Sequence, residues 1–488
     1  MKPTADPYFK RKSQRQLLDD KVRLLTEFID LQHPLVLLAN RIQWSDFEPH
    51  WHRRFSDASG PRAAPARLAA GLLLLKHMEG LSDEALMMAW VCNPYYQYFC
   101  GETHFQHKRP INPITLGRWR KQLGEEGLEY LYSAVLNTAL KLGAVEAKNL
   151  AHVCVDSTVM EKNIAYPTDS NLLLKVLQKM VQFMQDNQLN VRQTYAREAP
   201  RLAQKIGRYA HAKQFKRMRS ALKKLSTRVG RVMRELQRQL TQLTELSQMA
   251  ARDLIEQAVT LRAQAKNPKL KDKLYALHEP EVDCISKGKA HKRYEFGVKV
   301  GIVCTQQEGF VIGMRSYPGN PYDGHTLDDM LQQTETITGV EIKDAAVDLG
   351  YRGRHRTQAK VIHRGRKLSR REKQRLKRRS MIEAMIGHMK QDGMLSRCHL
   401  KGTAGDAIHA LLCGLGHNMR LLLNFIRANP SVAFILRLFG LEKRPYGAVD
   451  APNRVIWACW VNLLISSCDG MNLFRKYAGP TIYTISNQ

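Results

Sequence analysis

The stretch RSMIEAMIGHMK, residues 379–390, is the segment around which the predicted fold is built. It places Arg379, Glu383 and Lys390 at offsets of four and seven, and these offsets share one face of an α-helix with about 3.6 residues per turn. A carboxylate that lies between two cations on one helix face can bind a metal ion and a phosphate together. Such a site needs further carboxylates, which must come from other parts of the chain.

Two upstream aspartates end apolar runs with the composition of β-strands. Asp156 closes AHVCVD, and Asp348 closes KDAAVD. If the two strands are neighbours, the two carboxylates lie side by side, and a helix crossing that edge adds Glu383. A single aspartate after a strand is most often a turn former. The sequence nevertheless predicts an acidic triad, because all three acids fit one strand order.

The strand order extends over the second half of the chain. HVCVDSTV begins it, and after a long interruption RYEFGVKVGIVCT and FVIGMRSYPG read as a hairpin around the turn QQEG. A helix, HTLDDMLQQTETI, then precedes the strand KDAAVDLGY and the short strand AKVIHRG. Strand, helical arm, strand, strand, helix, strand, strand, helix is the order of a ribonuclease-H-like α/β fold. We therefore expect a catalytic domain of that class over residues 149–430.

The interruption, residues 171–275, is helical by pattern. Its apolar residues recur at threes and fours, as in an antiparallel coiled-coil arm: Leu222, Leu225, Val229, Val232, Leu236, Leu240 and Leu243. Twelve lysines and arginines lie between Arg201 and Arg234, with no acid among them. Such a block is either a solvated helix surface or a surface that contacts phosphates. Because all of its charged lysines and arginines are positive and no acid balances them, the second interpretation is favoured.

Residues 1–148 are predicted to form a helical DNA-binding domain. Residues 65–92 read as a helical hairpin whose second helix starts at Ser82, and Asn112-Pro113 opens the helix ITLGRWRKQLG, which should end at Gly124. On that helix Arg118, Arg120 and Lys121 are candidates for DNA phosphate contacts. The alternative is a core tryptophan, Trp119, with a solvated basic face.

Composition indicates a polyanionic partner. The net charge is +31, which favours nucleic acid first and an anionic membrane surface second. Nine scattered cysteines without a C-x-x-C pair argue against a disulfide framework or a zinc ribbon and fit a reducing cytoplasm. We see no signal peptide. The apolar run 455–468 is too short for a membrane span, so residues 431–488 are expected to be a helical tail.

The acidic triad suits phosphodiester chemistry. Two Mg²⁺ ions about 3.5–4 Å apart would activate the attacking oxygen, stabilise the leaving oxygen and neutralise phosphate charge. Mg²⁺ takes oxygen ligands, which the three acids supply. Fourteen lysines and arginines lie between Arg352 and Arg379 against one acid, Glu372, and a segment this basic beside an acidic site suits a polyanionic substrate.

Several of these blocks resemble one family. RSMIEAMIGHMK is similar to the arginine, glutamate and lysine signature of bacterial insertion-sequence DDE transposases, in the IS-five and IS-four-like superfamily and its IS-eleven-eighty-two-like type. LSDEAL, NPYYQYFCGE and ITLGRWRKQLG resemble its amino-terminal domain. VDSTVMEKNIAYPTDSNLL, YPGNPYDGHTL, AAVDLGYRG and GLGHNMRLLLNFI resemble blocks of its catalytic domain. The chain departs from the signature at Leu376, where the family often has tyrosine.

The resemblance implies a function. Asp156, Asp348 and Glu383 would bind two Mg²⁺ ions, with Mn²⁺ as a substitute, for cleavage and joining of double-stranded DNA at element ends. Arg379, Lys390 and Arg352 would contact DNA phosphates. The expected partners are the terminal repeats and target DNA, the expected assembly is a homodimer, and the expected location is the bacterial cytoplasm and nucleoid, with no membrane. A plain nuclease of the same fold and an inactive DNA-binding relic remain alternatives.

Overall fold

The computed structural model describes residues 23–55, 64–286, 293–353, 355–365 and 367–429. The chain divides into a unit of residues Met1–Ala433 and a unit of residues Phe434–Gln488, and the second lies outside the described residues. The predicted tail, residues 431–488, therefore also lies outside them.

The described strands form one mixed sheet with β1 at its centre. They are β1 (His152–Lys162), β2 (Asp283–Ser286), β3 (Tyr294–Thr305), β4 (Val311–Tyr317), β5 (Asp344–Ala346), β6 (Lys360–Ile362) and β7 (Arg397–Cys398). β1 pairs antiparallel with β3 on one side and parallel with β5 on the other. β4 lies antiparallel outside β3, and β6 lies parallel outside β5. The short strands β2 and β7 pair with β3 and β1.

The predicted hairpin is confirmed by the β3–β4 pairing. The turn is closed at Gly309, whose φ of +72° lies in the left-handed region that glycine adopts without steric cost. The β-branched residues Val153, Val155 and Val159 of β1 are fully buried, which is why this strand forms the centre of the sheet.

Apart from 3₁₀ turns, the named elements of the described chain before β1 are all helices. They are α1 (Pro34–Arg41), α2 (Trp44–Phe55), α3 (Ala66–Glu79), α4 (Asp83–Cys92), α5 (Pro94–Phe99) and α6 (Pro113–Leu142). The predicted start at Ser82 is confirmed, since its hydroxyl accepts a hydrogen bond from the Ala85 amide at 3.0 Å. The predicted end at Gly124 is confirmed by the backbone, which leaves helical geometry there with φ of +64°. A second helical stretch follows this kink and continues to Leu142, so α6 is two helices joined at Gly124.

The interruption between β1 and β2 contains four long helices. They are α7 (Asp169–Asp186), α8 (Glu198–His211), α9 (Phe215–Arg238) and α10 (Glu245–Lys266). The predicted apolar stripe is confirmed on α9, where Leu225, Val229, Val232 and Leu236 are all fully buried. The coiled-coil arm is wrong in form, because α9 packs against α7, α8 and α10 around one shared core.

Four helices complete the described chain. They are α11 (Asp323–Thr338), α12 (Arg370–Arg378), α13 (Ser380–Gln391) and α14 (Gly402–Ala428). α11 packs so closely on the sheet that a Cβ on Gly301 of β3 would lie 2.0 Å from the Met330 sulfur. Only glycine leaves room for Met330 at this position. α13 packs on β1, and α14 packs on β4, α3 and α6. In the described part of the chain, none of the helices combines the length and apolarity needed to cross a membrane.

Candidate active site

The sheet register brings the first two predicted acids level with each other. The parallel pairing of β1 with β5 ends at Cys154 opposite Ala346. Asp156 and Asp348 each lie two residues beyond that pair, and the two strands run in the same direction. The condition that the sequence left open, that these two strands are neighbours, is therefore met.

The third acid comes from the helix that packs on β1. Glu383 lies in the first turn of α13. Arg379 occupies the junction between α12 and α13, so it is the residue before the helix rather than part of it. Its guanidinium still reaches Glu383 four residues later, with Nη2 3.0 Å from Oε1.

Arg379 joins all three acids. Its Nη1 lies 3.3 Å from Asp156 Oδ2, and its Nη2 lies 3.7 Å from Asp348 Oδ1 in addition to the contact with Glu383. Three carboxylates from β1, the β5 end and α13 thus converge on one cation. Arg379, predicted from the sequence to contact phosphate, is paired with the acids in the structure.

The donor set fits a hard divalent cation. Three carboxylates meet one guanidinium, so this group alone leaves the cluster negative. All the donors are carboxylate oxygens, which suit Mg²⁺ or Mn²⁺. Asp348 and Glu383 are 57% and 63% exposed, whereas Asp156 is 20% exposed. The site therefore lies open at the surface, where a polymer can reach it.

Asp323 is a further acid near the triad that was not predicted from the sequence as a site residue. It begins α11, accepts a hydrogen bond from the Ser157 hydroxyl at 3.0 Å, and pairs with Lys299 at 2.9 Å. Ser157 follows Asp156 on β1, so the two side chains point to opposite faces of the sheet. The signal in the sequence was an acid in the first turn of a helix, which is too common to stand out.

Tyr351 is a buried residue that interacts with these acids. It is 1% exposed in the 3₁₀ turn that follows Asp348. Burial, followed by the charges of Asp323 and Asp156, raises the pKa of its hydroxyl well above the ordinary value. The Tyr351 hydroxyl therefore stays protonated and uncharged near pH 7.

The predicted DNA contact of Arg120 is contradicted by its burial. Arg120 is 6% exposed and makes two 2.6 Å hydrogen bonds to the carboxylate of Asp83 on α4. It serves as an internal ion pair between helices. Its neighbours Arg118 and Lys121 are exposed, while Trp119 is buried against Trp51, as the core-tryptophan alternative predicted.

The basic segment beside the triad is partly paired and partly exposed. Arg375 binds the buried Asp344, and Lys360 pairs with Glu372 at 2.6 Å. The remaining described cations on its surface are Arg352, Arg356, Arg364, Lys367, Arg370, Arg371, Lys373, Lys377 and Arg378. Lys390 lies in the last turn of α13, two turns beyond Glu383. A broad cationic surface therefore borders the acids.

Comparison with known proteins gives matches on both sides of the helical interruption. Residues 23–122 match a transposase domain (DUF772), and residues 278–419 match a transposase DDE domain. The second match includes Asp348, Arg379 and Glu383, whereas Asp156 lies upstream of it. No solved structure matches the chain.

A curated relative is similar over a shorter part. It is "Uncharacterized protein ORF8 in nfe locus" from Rhizobium meliloti, 43% identical over 191 residues, which is 39% of this chain and 92% of the relative. Its printed name gives no activity, so the two domain matches identify the family. On these matches the chain belongs to the insertion-sequence DDE transposases.

Proposed function

We propose that this transposase cuts DNA at the ends of an insertion sequence and joins the freed strand to target DNA at the site of Asp156, Asp348 and Glu383. The observation that carries the proposal is the convergence of these three acids, from separate parts of the chain, on the Arg379 guanidinium. The family uses divalent metal ions, and we propose Mg²⁺, with Mn²⁺ as a substitute.

We infer that the sheet is of the ribonuclease-H-like class. The order β4, β3, β1, β5, β6, with two antiparallel and then two parallel pairings, supports this inference. The four helices between β1 and β2 would then be an insertion into that fold.

The three acids would hold the divalent ions, which supply Lewis-acid activation of the attacking oxygen and neutralise phosphate charge. Asp156 is the most buried of the three and would fix the position of the site. Asp348 and Glu383 face solvent and would meet the incoming DNA backbone. Arg379 would then transfer from the carboxylates to a substrate phosphate, since both are oxyanions that a guanidinium can bind through two hydrogen bonds.

Phosphate contacts outside the acids would come from further cations. We propose the half-buried Lys390 and the exposed Arg352 near the acids, and the exposed Arg118 and Lys121 on α6. These contacts are independent of base sequence and depend on salt. We also propose a homodimer, because two element ends must be brought together, and action in the bacterial cytoplasm.

A cleavage assay tests the proposal. A plasmid carrying the DNA that flanks the gene would be incubated with wild-type protein in Mg²⁺ or chelator, and with Asp348→Asn in Mg²⁺. We expect metal-dependent cuts at the element edges and joined products. The Asp348→Asn rate should fall by about 100-fold or more, because a ligand worth about 3 kcal/mol in the transition state is lost.

A matched control is Asp253→Asn, which changes an exposed aspartate on α10 in the same way. It should cut as wild type does. Cuts at random positions without joining would instead support a plain nuclease. DNA binding without cutting by any protein would support an inactive relic.

A further inference from the structure

A second group of ligand-type side chains lies in the core. His77 on α3 and His409 and Cys413 on α14 each offer one ligand atom, and these atoms all lie within 4.8 Å of one another. The three residues are at most 3% exposed. None of them belongs to the acidic triad, and the proposed DNA chemistry uses none of them.

Helix geometry explains how the three side chains meet. His409 and Cys413 are four residues apart on α14 and therefore share one face of that helix. α3 lies very close to this face, as Gly416 shows: a Cβ on this residue would lie only 2.3 Å from the carbonyl oxygen of His77. Glycine at this position lets the two backbones approach closely enough to bring His77 to the pair.

The separation of the donors is close to the one that a bound ion requires. The Cys413 sulfur lies 4.0 Å from Nδ1 of His77. Zinc bonds to sulfur and imidazole nitrogen are about 2.3 and 2.0 Å long, so a tetrahedral zinc ion holds the two atoms about 3.5 Å apart. An ion between them therefore requires the two side chains to approach by about 0.5 Å.

The backbone fixes which ring nitrogen of His409 can bind a metal. Nε2 of His409 lies 3.1 Å from the Met394 carbonyl oxygen and donates to it, which leaves the lone pair on Nδ1. A backbone carbonyl commonly orients a metal-bound histidine in this way.

Tyr132 supplies a further observation. Its hydroxyl is fully buried on α6 and lacks a hydrogen-bond partner among the described residues. It lies 2.1 Å from the position that a Cβ on Gly414 would take, beside Cys413. A buried oxygen without a partner is costly unless something binds it. It is a candidate for the fourth donor.

The nearby cations are already engaged. Lys76 and Arg120 both bind Asp83, at 2.9 and 2.6 Å. Arg420 donates to the carbonyl oxygens of His77 and Met78, at 3.0 Å each. A divalent ion that replaces the thiol proton adds one net charge rather than two.

We propose that His77, His409 and Cys413 bind one zinc-class divalent ion that fastens α3 to α14. Nitrogen and sulfur ligands select zinc or cobalt(II) over Mg²⁺, so this site and the carboxylate site take different metals. His77 lies in the match to the transposase domain (DUF772), and the other two lie in the DDE match. The ion would therefore tie the two matched regions together.

Cobalt(II) titration of the full-length chain, without an affinity tag and after removal of zinc by a chelator, tests the site. We expect one equivalent of cobalt(II) with a thiolate-to-cobalt charge-transfer band, and a higher unfolding temperature once zinc is added. A folded wild-type protein that gives no such band would overturn the proposal, whatever its variants do.

Two cysteine variants test which sulfur produces the charge-transfer band. Cys413→Ala should lose it, whereas Cys304→Ala, which removes the sulfur of a buried free cysteine on β3, should retain it. Asp348→Asn should also retain it, and excess Mg²⁺ should not displace the cobalt. A band that persists in Cys413→Ala would overturn the assignment.

Discussion

At the residue scale, Arg379 is the group on which the three acids converge. Its guanidinium is 14% exposed and lies within 3.7 Å of an oxygen of each acid. A divalent ion that binds the same oxygens must compete with this cation. Arg379 is therefore expected to weaken metal binding before DNA arrives, and to become available for phosphate once metal is bound.

Arg379→Gln should bind Mn²⁺ more tightly than wild type in the absence of DNA. A charge pair at 4 Å is worth up to about 4 kcal/mol at an effective dielectric constant of 20, but Asp348 and Glu383 are exposed and solvent reduces this. About 1 kcal/mol, or roughly fivefold in affinity, is expected. Calorimetric titration with Mn²⁺ measures it. Arg378→Gln, an exposed neighbour, is the control, and an equal or lower affinity in Arg379→Gln would contradict competition.

Arg120→Gln should destabilise the protein. Breaking a buried ion pair costs about 3–5 kcal/mol, and the lower end applies because Asp83 keeps its contact with Lys76. Urea unfolding measures the loss. Arg118→Gln, which changes an exposed residue on the same helix, should leave the free energy of unfolding unchanged. Equal stability of Arg120→Gln and wild type would mean that the Asp83 pair contributes little.

The triad could be predicted from the sequence, whereas its surroundings could not. Asp156 and Asp348 follow apolar runs, and Glu383 belongs to a spaced motif, so local pattern selected the three acids. The pairing of β1 with β5, which brings the two aspartates level, came from the structure. Asp323 meets Ser157 only because α11 packs over Gly301, and Arg120 is buried only because Asp83 faces it from another helix. Such pairings depend on tertiary packing, which no local pattern encodes.

At the element scale, α14 links acidity to stability through His417. Burial lowers the pKa of this histidine to about 4, and its Nε2 lies 3.2 Å from the backbone carbonyl oxygen of Gly309. Between pH 6.5 and about 4 the unfolded chain binds protons that the folded chain does not. The free energy of unfolding is therefore expected to fall as the pH drops through this window and to be at its full value above it.

His417→Gln should make the protein less sensitive to acid. At most about 3 kcal/mol of stability depends on this histidine between pH 6.5 and about 4, since one pKa unit is worth about 1.4 kcal/mol. Urea unfolding at about pH 7.5 and pH 5 measures the difference for wild type and variant. His211→Gln, at an exposed histidine on α8, is the control. An unchanged pH dependence in His417→Gln would show that this group does not carry it.

The helical interruption shows why helix ends were harder to predict than helix faces. The apolar stripe of α9 has regular spacing and was predicted correctly. The breaks after α7 and α8 instead use Gln188 and Lys213 in left-handed conformation, with φ of +55° and +54°. Glycine usually marks such ends, and without it the pattern reads as a longer helix. The predicted arm is therefore divided into more helices and closed into a bundle.

The exposed lysines of α9 should contribute to DNA affinity without contributing to catalysis. Changing Lys216, Lys223 and Lys224 to glutamine is expected to weaken binding and to lower the salt slope, log K against log[salt], by about 0.9 per lost phosphate contact. Binding measured by fluorescence anisotropy at several salt concentrations gives this slope. The matched control changes Lys266, Lys269 and Lys271. An unchanged slope in the first variant would contradict contact between α9 and DNA.

At the scale of the whole molecule, the interruption leaves the sheet and returns to it at one place. Residues 164–167 after β1 and residues 275–278 before β2 line the same cavity of about 540 Å³. Tyr166 and Tyr275 both pack on Phe296 of β3, and Gln264 of α10 donates to Asp169 of α7 at 2.9 Å. Since the four helices also share their own core, we expect that they can be removed as a module without opening the sheet.

This architecture makes the role of the module in assembly testable. A chain lacking residues 171–275, closed by a short glycine-serine linker, should fold because the two ends already lie together. If the module joins the two copies of the 55.9 kDa chain, the full chain bound to element-end DNA should have the mass of a dimer, whereas the shortened chain should bind as a monomer. Light scattering of both complexes measures this. A shortened chain that still dimerises on DNA would exclude the module as the dimer contact and leave it a role in DNA binding alone.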